Sequence, residues 1–334
     1  MKENQEAKRN SDPRKRFAGH KKIPLLVIVG PTAVGKTAVA VEVAKKIDGE
    51  IVSADSAQIY RYLDIGTAKP SKEENNLAVH HLIDILDPKE EFSVAQFQKL
   101  ANQCIEDIYA REKHPILVGG TGLYVNAVID AYSFFDRGKN EQTRQWLQLR
   151  ADNEGLEQLY QELQRLDPEA AHKISINDGK RIIRALEVYY TEGQPISQQE
   201  KYTSKTVSPF HLLPVGLHMP REELYRRINE RVDRMIVQGL LEEVEELLEY
   251  YPTHARGLQI LGYCQMVKYL QGEVNWEEAV GEIKQETRRL AKRQLTWFRR
   301  DHRIVWVEVK PQAISDSVNT IYNLWKDKLY QKAN

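Results

Sequence analysis

The strongest constraint on this chain is a short stretch near its start, LLVIVGPTAVGKT, residues 25 to 37. A run of apolar, largely β-branched residues ending at Gly30 reads as a buried parallel strand. Gly30, Gly35, Lys36 and Thr37 then satisfy the pattern G-x-x-x-x-G-K-[ST], and Ala38, Val41, Ala44 and Ile47 follow at helical spacing. Strand, glycine-rich turn and helix in that order specify a loop that wraps a phosphate. The glycines let backbone N–H groups turn toward the anion, and the helix N-terminus adds positive potential. Lys36 can cap a diphosphate and the Thr37 hydroxyl can hold Mg2+. Gly30, Pro31, Thr32, Ala33, Val34, Gly35, Lys36 and Thr37 are therefore the candidate diphosphate-binding residues. The motif leaves open whether the bound phosphate is transferred or left behind.

Further strands are expected at 50–53 and at 115–118, the latter ending in GGTGLY, with helical stretches between. This alternation predicts an α/β fold, a P-loop NTPase-like parallel sheet flanked by helices, with ligands at the carboxyl ends of the strands. The strand signal vanishes from about Asp130 to Ser204 and returns at HLLPVGLHM and RIVWVEV. The expected core is thus 23–129 with 205–310, interrupted by an all-helical insertion at 130–204. Residues 311–334 are expected to form a C-terminal helix or tail. Residues 1–22 read as a disordered basic tail, either solvated or reaching for RNA.

Composition removes several classes. Hydrophobic residues at 41 % and charged residues at 29 % of 334 suit a globular chain, and no apolar run approaches the roughly 18 residues of a membrane span. The first residues lack the apolar stretch of a secretory signal, so a cytoplasmic protein is expected. With 48 Lys and Arg against 48 Asp and Glu, affinity for nucleic acid has to come from local patches. Cys104 and Cys264 lack metal-site spacing and read as reduced thiols. His80 and His81 are adjacent, without the i, i+4 geometry of a helical metal pair, and read as structural or substrate-loop residues.

A kinase or NTPase would carry an acidic Mg2+ ligand at a strand end, but the strand at 115–118 ends LVGGTG. The nearest carboxylate is Asp55 in SADSAQIY, on the same rim as the loop and suited to proton removal. On a helix expected over 222–250, Leu224, Ile228 and Met235 mark an apolar stripe, and Arg231 falls inside it. Such a cation either meets an anion or snorkels from the stripe's edge.

Two later helices are basic. In NDGKRIIRALEVYY, Asn177 and Asp178 are cap candidates and Ile182, Ile183 and Leu186 form a core face. Lys180, Arg181 and Arg184 share another face, suited either to backbone phosphates or to water. In IKQETRRLAKRQLTWFRRDHR, Arg289, Arg293, Arg300 and Arg303 line a basic stripe beside aromatics, in the manner of an RNA track.

GPTAVGKT, SADSAQIY, DIGTAKP, HHLID, FSVAQF, GGTGLY, NDGKRIIRALEVY and AKRQLTWFR, in this order, make the chain resemble the tRNA dimethylallyltransferase family from about Ile23 to Arg303. The resemblance implies transfer of a dimethylallyl group from dimethylallyl diphosphate to N6 of the adenosine at tRNA position 37, 3′ of the anticodon. Diphosphate is then the group left behind, and the helical insertion grips the anticodon stem-loop. Asp55 matches the family's general base, while Arg231, Lys36, Thr32 and Mg2+ on Thr37 complete the catalytic set around the leaving group. By the same matching Asp55, Ser56, Ala57 and Gln58 meet the target adenosine, Thr121 lines the site, and Lys180, Arg181, Ile182, Ile183 and Arg184 lie on a tRNA-contacting stretch. Ala57 stands where many members carry a longer side chain. The absence of a C-terminal zinc-finger cysteine pattern fits the shorter, bacterial type, expected to act as a monomer. The competing readings are a prenyltransferase of free adenine nucleotides, a P-loop kinase of small metabolites and a non-catalytic RNA-binding switch.

Overall fold

In chain order the strands are β1 (Ile23–Val29), β2 (Gly49–Ser53), β3 (His80–His81), β4 (His114–Gly119), β5 (Phe210–His218) and β6 (Val305–Glu308). They hydrogen-bond in the order β3-β2-β4-β1-β5-β6, each pair parallel. The structure, a computed structural model, describes residues 22–132, 140–198 and 208–330. The expected tail at 1–22 lies outside these residues except for Lys22, whose Nζ donates to the Ser208 carbonyl at 2.8 Å.

The helices before the insertion are α1 (Lys36–Ile47), α2 (Lys72–Leu77), α3 (Val94–Ala110) and α4 (Gly122–Ile129). Those of the insertion are α5 (Glu141–Glu154), α6 (Leu156–Leu166), α7 (Pro168–Lys173) and α8 (Gly179–Glu192). After it come α9 (Arg221–Val237), α10 (Leu240–Tyr250), α11 (Tyr263–Leu270), α12 (Trp276–Phe298) and α13 (Ile314–Trp325). All seven residues of β1 are buried because its two faces serve different cores. Leu26 and Ile28 join α1 and α13 on one side, while Leu25, Val27 and Val29 join α3 and α4 on the other, the period-two alternation of a central strand. A third cluster joins Ile59 and Leu63 to Val232 and Met235 of α9, with Leu240, Tyr263 and Ile283 from the following helices.

Because β4 lies between β1 and β2, the exits of these three strands share one rim. The rim carries the loop at 30–37, the turn at 119–121 and the segment at 54–58. The contact is close: a Cβ on Gly119 would stand 2.1 Å from the Ala54 carbonyl oxygen.

The chain divides into two compact units, Met1–Asp130 with Ser208–Asn334, and Ala131–Val207. The C-terminal segment belongs to the first, where Val318, Ile321, Trp325 and Leu329 are buried in the same core as α1. In the second unit Leu147, Leu159, Leu163, Ile182, Ile183 and Leu186 form a small helical core of their own. One local expectation fails. The helix expected over 222–250 is two helices, broken at Gly239, whose φ of 97° starts α10 in the left-handed region. His80 and His81 form a short edge strand, and His81 Nε2 lies 2.7 Å from the buried Glu50 carboxylate. Among the described residues no helix is long and apolar enough to cross a membrane.

Candidate active site

The phosphate loop is built from backbone conformations that only a few residues tolerate. Gly30 and Gly35 have φ of 153° and 100°, and Ala33 sits at 65°. Helix α1 then starts with no side-chain cap and no acid in its first turn, which leaves its leading N–H groups to an anion. Lys36 folds back over the loop, its Nζ donating to the carbonyls of Gly30 at 3.0 Å and Pro31 at 2.9 Å. Burial pushes its ammonium down to about 8; the Asp55 charge works against that fall, and the Arg231 charge adds to it.

The loop opens on a cavity of about 1290 Å3 that is also lined by Asp55, Gln58, Thr121, Arg231 and Trp297. Asp55 follows β2, and its Oδ1 accepts from the Ala57 amide at 2.9 Å, a local turn that fixes the carboxylate at the rim. Thr121 Oγ1 accepts from the Ser56 amide at 3.1 Å and donates to Ser56 Oγ at 3.2 Å, tying the β2 and β4 exits together. Arg231 reaches the site from α9, where burial lowers its pKa, the Asp55 charge opposes the fall and the neighbouring Arg234 adds to it. Its Nη2 donates to the Thr67 carbonyl at 3.4 Å. The stripe cation thus lines the cavity, where the Asp55 charge acts on it.

Three contributors escaped the sequence reading. Gln294 on α12 hydrogen-bonds both the Thr32 amide and the Gly120 carbonyl. Arg227, one helical turn before Arg231, donates from Nε to the Ala33 carbonyl at 3.0 Å. Trp297 packs so tightly on the β4 turn that a Cβ on Gly122 would lie 2.3 Å from its Cδ1. The signal for Gln294 was its spacing: three after Ala291 and four before Phe298, it is a polar residue inside a buried stripe.

Several expected site residues are placed differently. Within the loop the Val34 side chain is fully buried in the sheet core, and Pro31 has no N–H to give, so its contribution is the carbonyl that holds Lys36. The Gln58 amide is engaged by Ser53 Oγ at 3.3 Å and by the Thr67 and Ala68 carbonyls at 3.4 and 3.2 Å. Ile182 and Ile183 are 0 % and 7 % exposed in the insertion core, so their side chains are withheld from any RNA. On the same helix Arg181 pairs with Asp178 at 3.4 Å and Arg184 with Glu187 at 3.0 Å, which partly cancels the face they share with exposed Lys180. Arg303 lies beyond the end of α12 and is bound by Asp130 at 2.7 Å and Asp301 at 2.6 Å, so it drops out of the basic stripe.

For Mg2+ the chemistry of the donor set decides. The ion takes six oxygens in octahedral geometry, and among the described residues no three or more His, Cys, Asp or Glu side chains converge on one point. The Thr37 hydroxyl at the helix start fits the ion only when diphosphate oxygens and water complete the shell.

Comparison with known proteins gives the family. The family model for IPP transferase matches residues 58–301. A tRNA dimethylallyltransferase of Moorella thermoacetica is 51 % identical over 300 residues, covering 88 % of this chain and 93 % of that protein. Among solved structures, a full-length tRNA isopentenylpyrophosphate transferase from Bacillus halodurans superposes with a TM-score of 0.70 at 43 % identity, over 93 % of this chain and 98 % of that one. A eukaryotic dimethylallyltransferase, solved acting on tRNA, gives a TM-score of 0.74 at 27 % identity over 93 % and 77 % of the two chains. A family model spanning well over half of the sequence, with relatives aligned along nearly their full length, makes this chain a member of the IPP transferase family.

Proposed function

We propose that this chain transfers a dimethylallyl group from dimethylallyl diphosphate to N6 of the adenosine at tRNA position 37, releasing diphosphate. The observation that carries the reading is one cavity in which a carboxylate, Asp55, faces a phosphate cradle made of α1, Lys36 and Arg231. Breaking the allylic C–O bond leaves negative charge on the departing diphosphate. Fixed positive groups lining the cavity stabilise that charge more than they stabilise the bound substrate. The exocyclic amine of adenine is a weak nucleophile because its lone pair is delocalised into the ring. As its nitrogen bonds to the allylic carbon, Asp55 takes the amine proton, so the products are the N6-prenylated base, free diphosphate and a protonated carboxyl group.

The Thr37 hydroxyl would hold Mg2+, whose charge would help neutralise the leaving group. Thr32 orients the loop through its amide, and Ser56, Ala57 and Thr121 form the wall against which an extruded base rests. Extrusion costs a few kcal/mol, which contacts to the RNA backbone have to offset. Lys180, Arg181 and Arg184 of the insertion supply such contacts, and the molecule works in the cytoplasm, where its RNA substrate is. Incubation with labelled dimethylallyl diphosphate and either tRNA or AMP tests the proposal. Label at N6 of a tRNA adenosine is expected; label on AMP alone, or none, overturns it.

A further inference from the structure

The segment Asp64 to Pro70, DIGTAKP, has no part in the chemistry above, yet it forms one wall of the cavity. It is held from behind by α10. Glu243 Oε2 accepts from the amides of Asp64 at 3.0 Å and Ile65 at 2.9 Å, and Oε1 accepts from Ile65 at 3.2 Å and Gly66 at 3.4 Å. The Tyr263 hydroxyl on α11 donates to the same carboxylate and accepts from the Gly66 amide at 3.1 Å. Gly66 is required by this packing, since a Cβ there would stand 2.4 Å from the Tyr263 ring.

The far end of the segment has its own anchor. Lys69 Nζ meets Asp64 at 2.6 Å, Asp84 at 2.5 Å and the Tyr60 carbonyl at 2.7 Å. Between the two anchors the Thr67 carbonyl accepts from both Gln58 and Arg231. Bonds from backbone amides to a charged carboxylate are roughly twice as strong as neutral ones, so Glu243 is a stiff support for the chain leading to that carbonyl.

We propose that Glu243 is a positioning residue for diphosphate handling: by holding the amides of Asp64 to Gly66 it fixes the Thr67 carbonyl that orients Arg231. The proposal rests on the reading of Arg231 as a diphosphate ligand. It acts through one buried carbonyl, so its effect has to vanish when Arg231 is removed.

A double-mutant cycle on the full-length protein tests this, with calorimetric binding of inorganic pyrophosphate as the readout. Because that readout needs no turnover, it decides the proposal whether or not the chain prenylates tRNA. Glu243→Gln is expected to weaken pyrophosphate binding about tenfold while the circular dichroism spectrum stays native. In an Arg231→Ala background the same change is expected to cost less than about twofold. Equal losses in both backgrounds, or unchanged binding in Glu243→Gln, overturn the proposal. Should Glu243→Gln fail to fold, Tyr263→Phe keeps the ring against Gly66 and removes only the hydroxyl bonds. It is expected to show a smaller loss with the same dependence on Arg231, and a loss independent of Arg231 is the overturning result.

Discussion

The side-chain amide of Gln294 joins the two turns of the site. Its oxygen accepts from the Thr32 N–H at 2.8 Å and its nitrogen donates to the Gly120 carbonyl at 3.1 Å. A Cβ on Gly120 would lie 2.3 Å from Gln294 Nε2, so a side chain there would push the Gln294 amide out of this bridge. A residue of α12 thereby sets the spacing between the phosphate loop and the turn after β4. Gln294→Ala should lower stability by only about 1 kcal/mol, the worth of such hydrogen bonds, yet cut prenyl transfer by about tenfold or more because both turns lose their reference. Denaturant unfolding and steady-state turnover check the two numbers, and unchanged turnover would mean the turns hold themselves.

Removal of Asp55 separates chemistry from binding. Asp55→Ala should retain tRNA affinity and lose about 10²-fold or more in prenylation, the scale of a missing general base. Filter binding and base analysis of the product tRNA provide the comparison. Full turnover would take Asp55 out of the mechanism.

Arg231→Ala removes a cation from the cradle rather than from the base site. The expected outcome is weaker use of the prenyl diphosphate, with kcat falling as well, because the guanidinium matters most once charge has moved onto the leaving group. Kinetics matching those of the unaltered protein would contradict this placement.

The buried ammonium of Lys36 predicts a pH limb. With its folded pKa near 8, below lysine's ordinary 10.5, the group is charged below that value and neutral above it. Pyrophosphate affinity of the free protein should therefore fall as pH rises through about 8. Lys36→Arg, which stays charged, should retain only the ligand's own titration, and the difference between the two profiles isolates the lysine. The sign for stability is opposite. The buried charge opposes folding fully below about 8, and this cost fades as pH rises toward 10.5.

Glu50, at the start of β2, predicts acid sensitivity. Its carboxyl is held down to about 2, first by the hydrogen bonds from Arg111, against the cost of burial, with His81 helping. A depressed carboxylate contributes stability that is complete above its ordinary 4.5 and lost as pH falls toward 2. Between these pH values the unaltered protein should lose on the order of 1 to 2 kcal/mol relative to Glu50→Gln in urea unfolding, a figure reduced for the half-exposed arginine. Parallel pH profiles for the two proteins would remove Glu50 as the source.

Much of the site was legible because it is local. GPTAVGKT encodes a loop whose parts lie within eight residues, so spacing alone carries the geometry. Asp55 was legible for a related reason, since it lies a few residues beyond a strand end and strand ends converge in a parallel sheet. The break at Gly239 was hidden because the apolar stripe of α9 runs on into α10 at nearly unbroken spacing. The two-residue strand β3 had no pattern of its own and exists only because β2 offers it a free edge.

The bonds that join distant segments were beyond the sequence. Gln294 meets Thr32 across 262 residues and Glu243 meets Ile65 across 178, and no local pattern marks either pairing. The burial of Ile182 and Ile183 is legible as a core face, whereas the family motif 180–184 runs across both faces of the helix. Linear order determined the sheet type, the phosphate loop and the place of Asp55 on the strand rim, because each depends on neighbours in the chain. Which helices clamp those parts, and which cation turns toward the carboxylate, was decided by packing in three dimensions, where contacts form between residues that share no local signal.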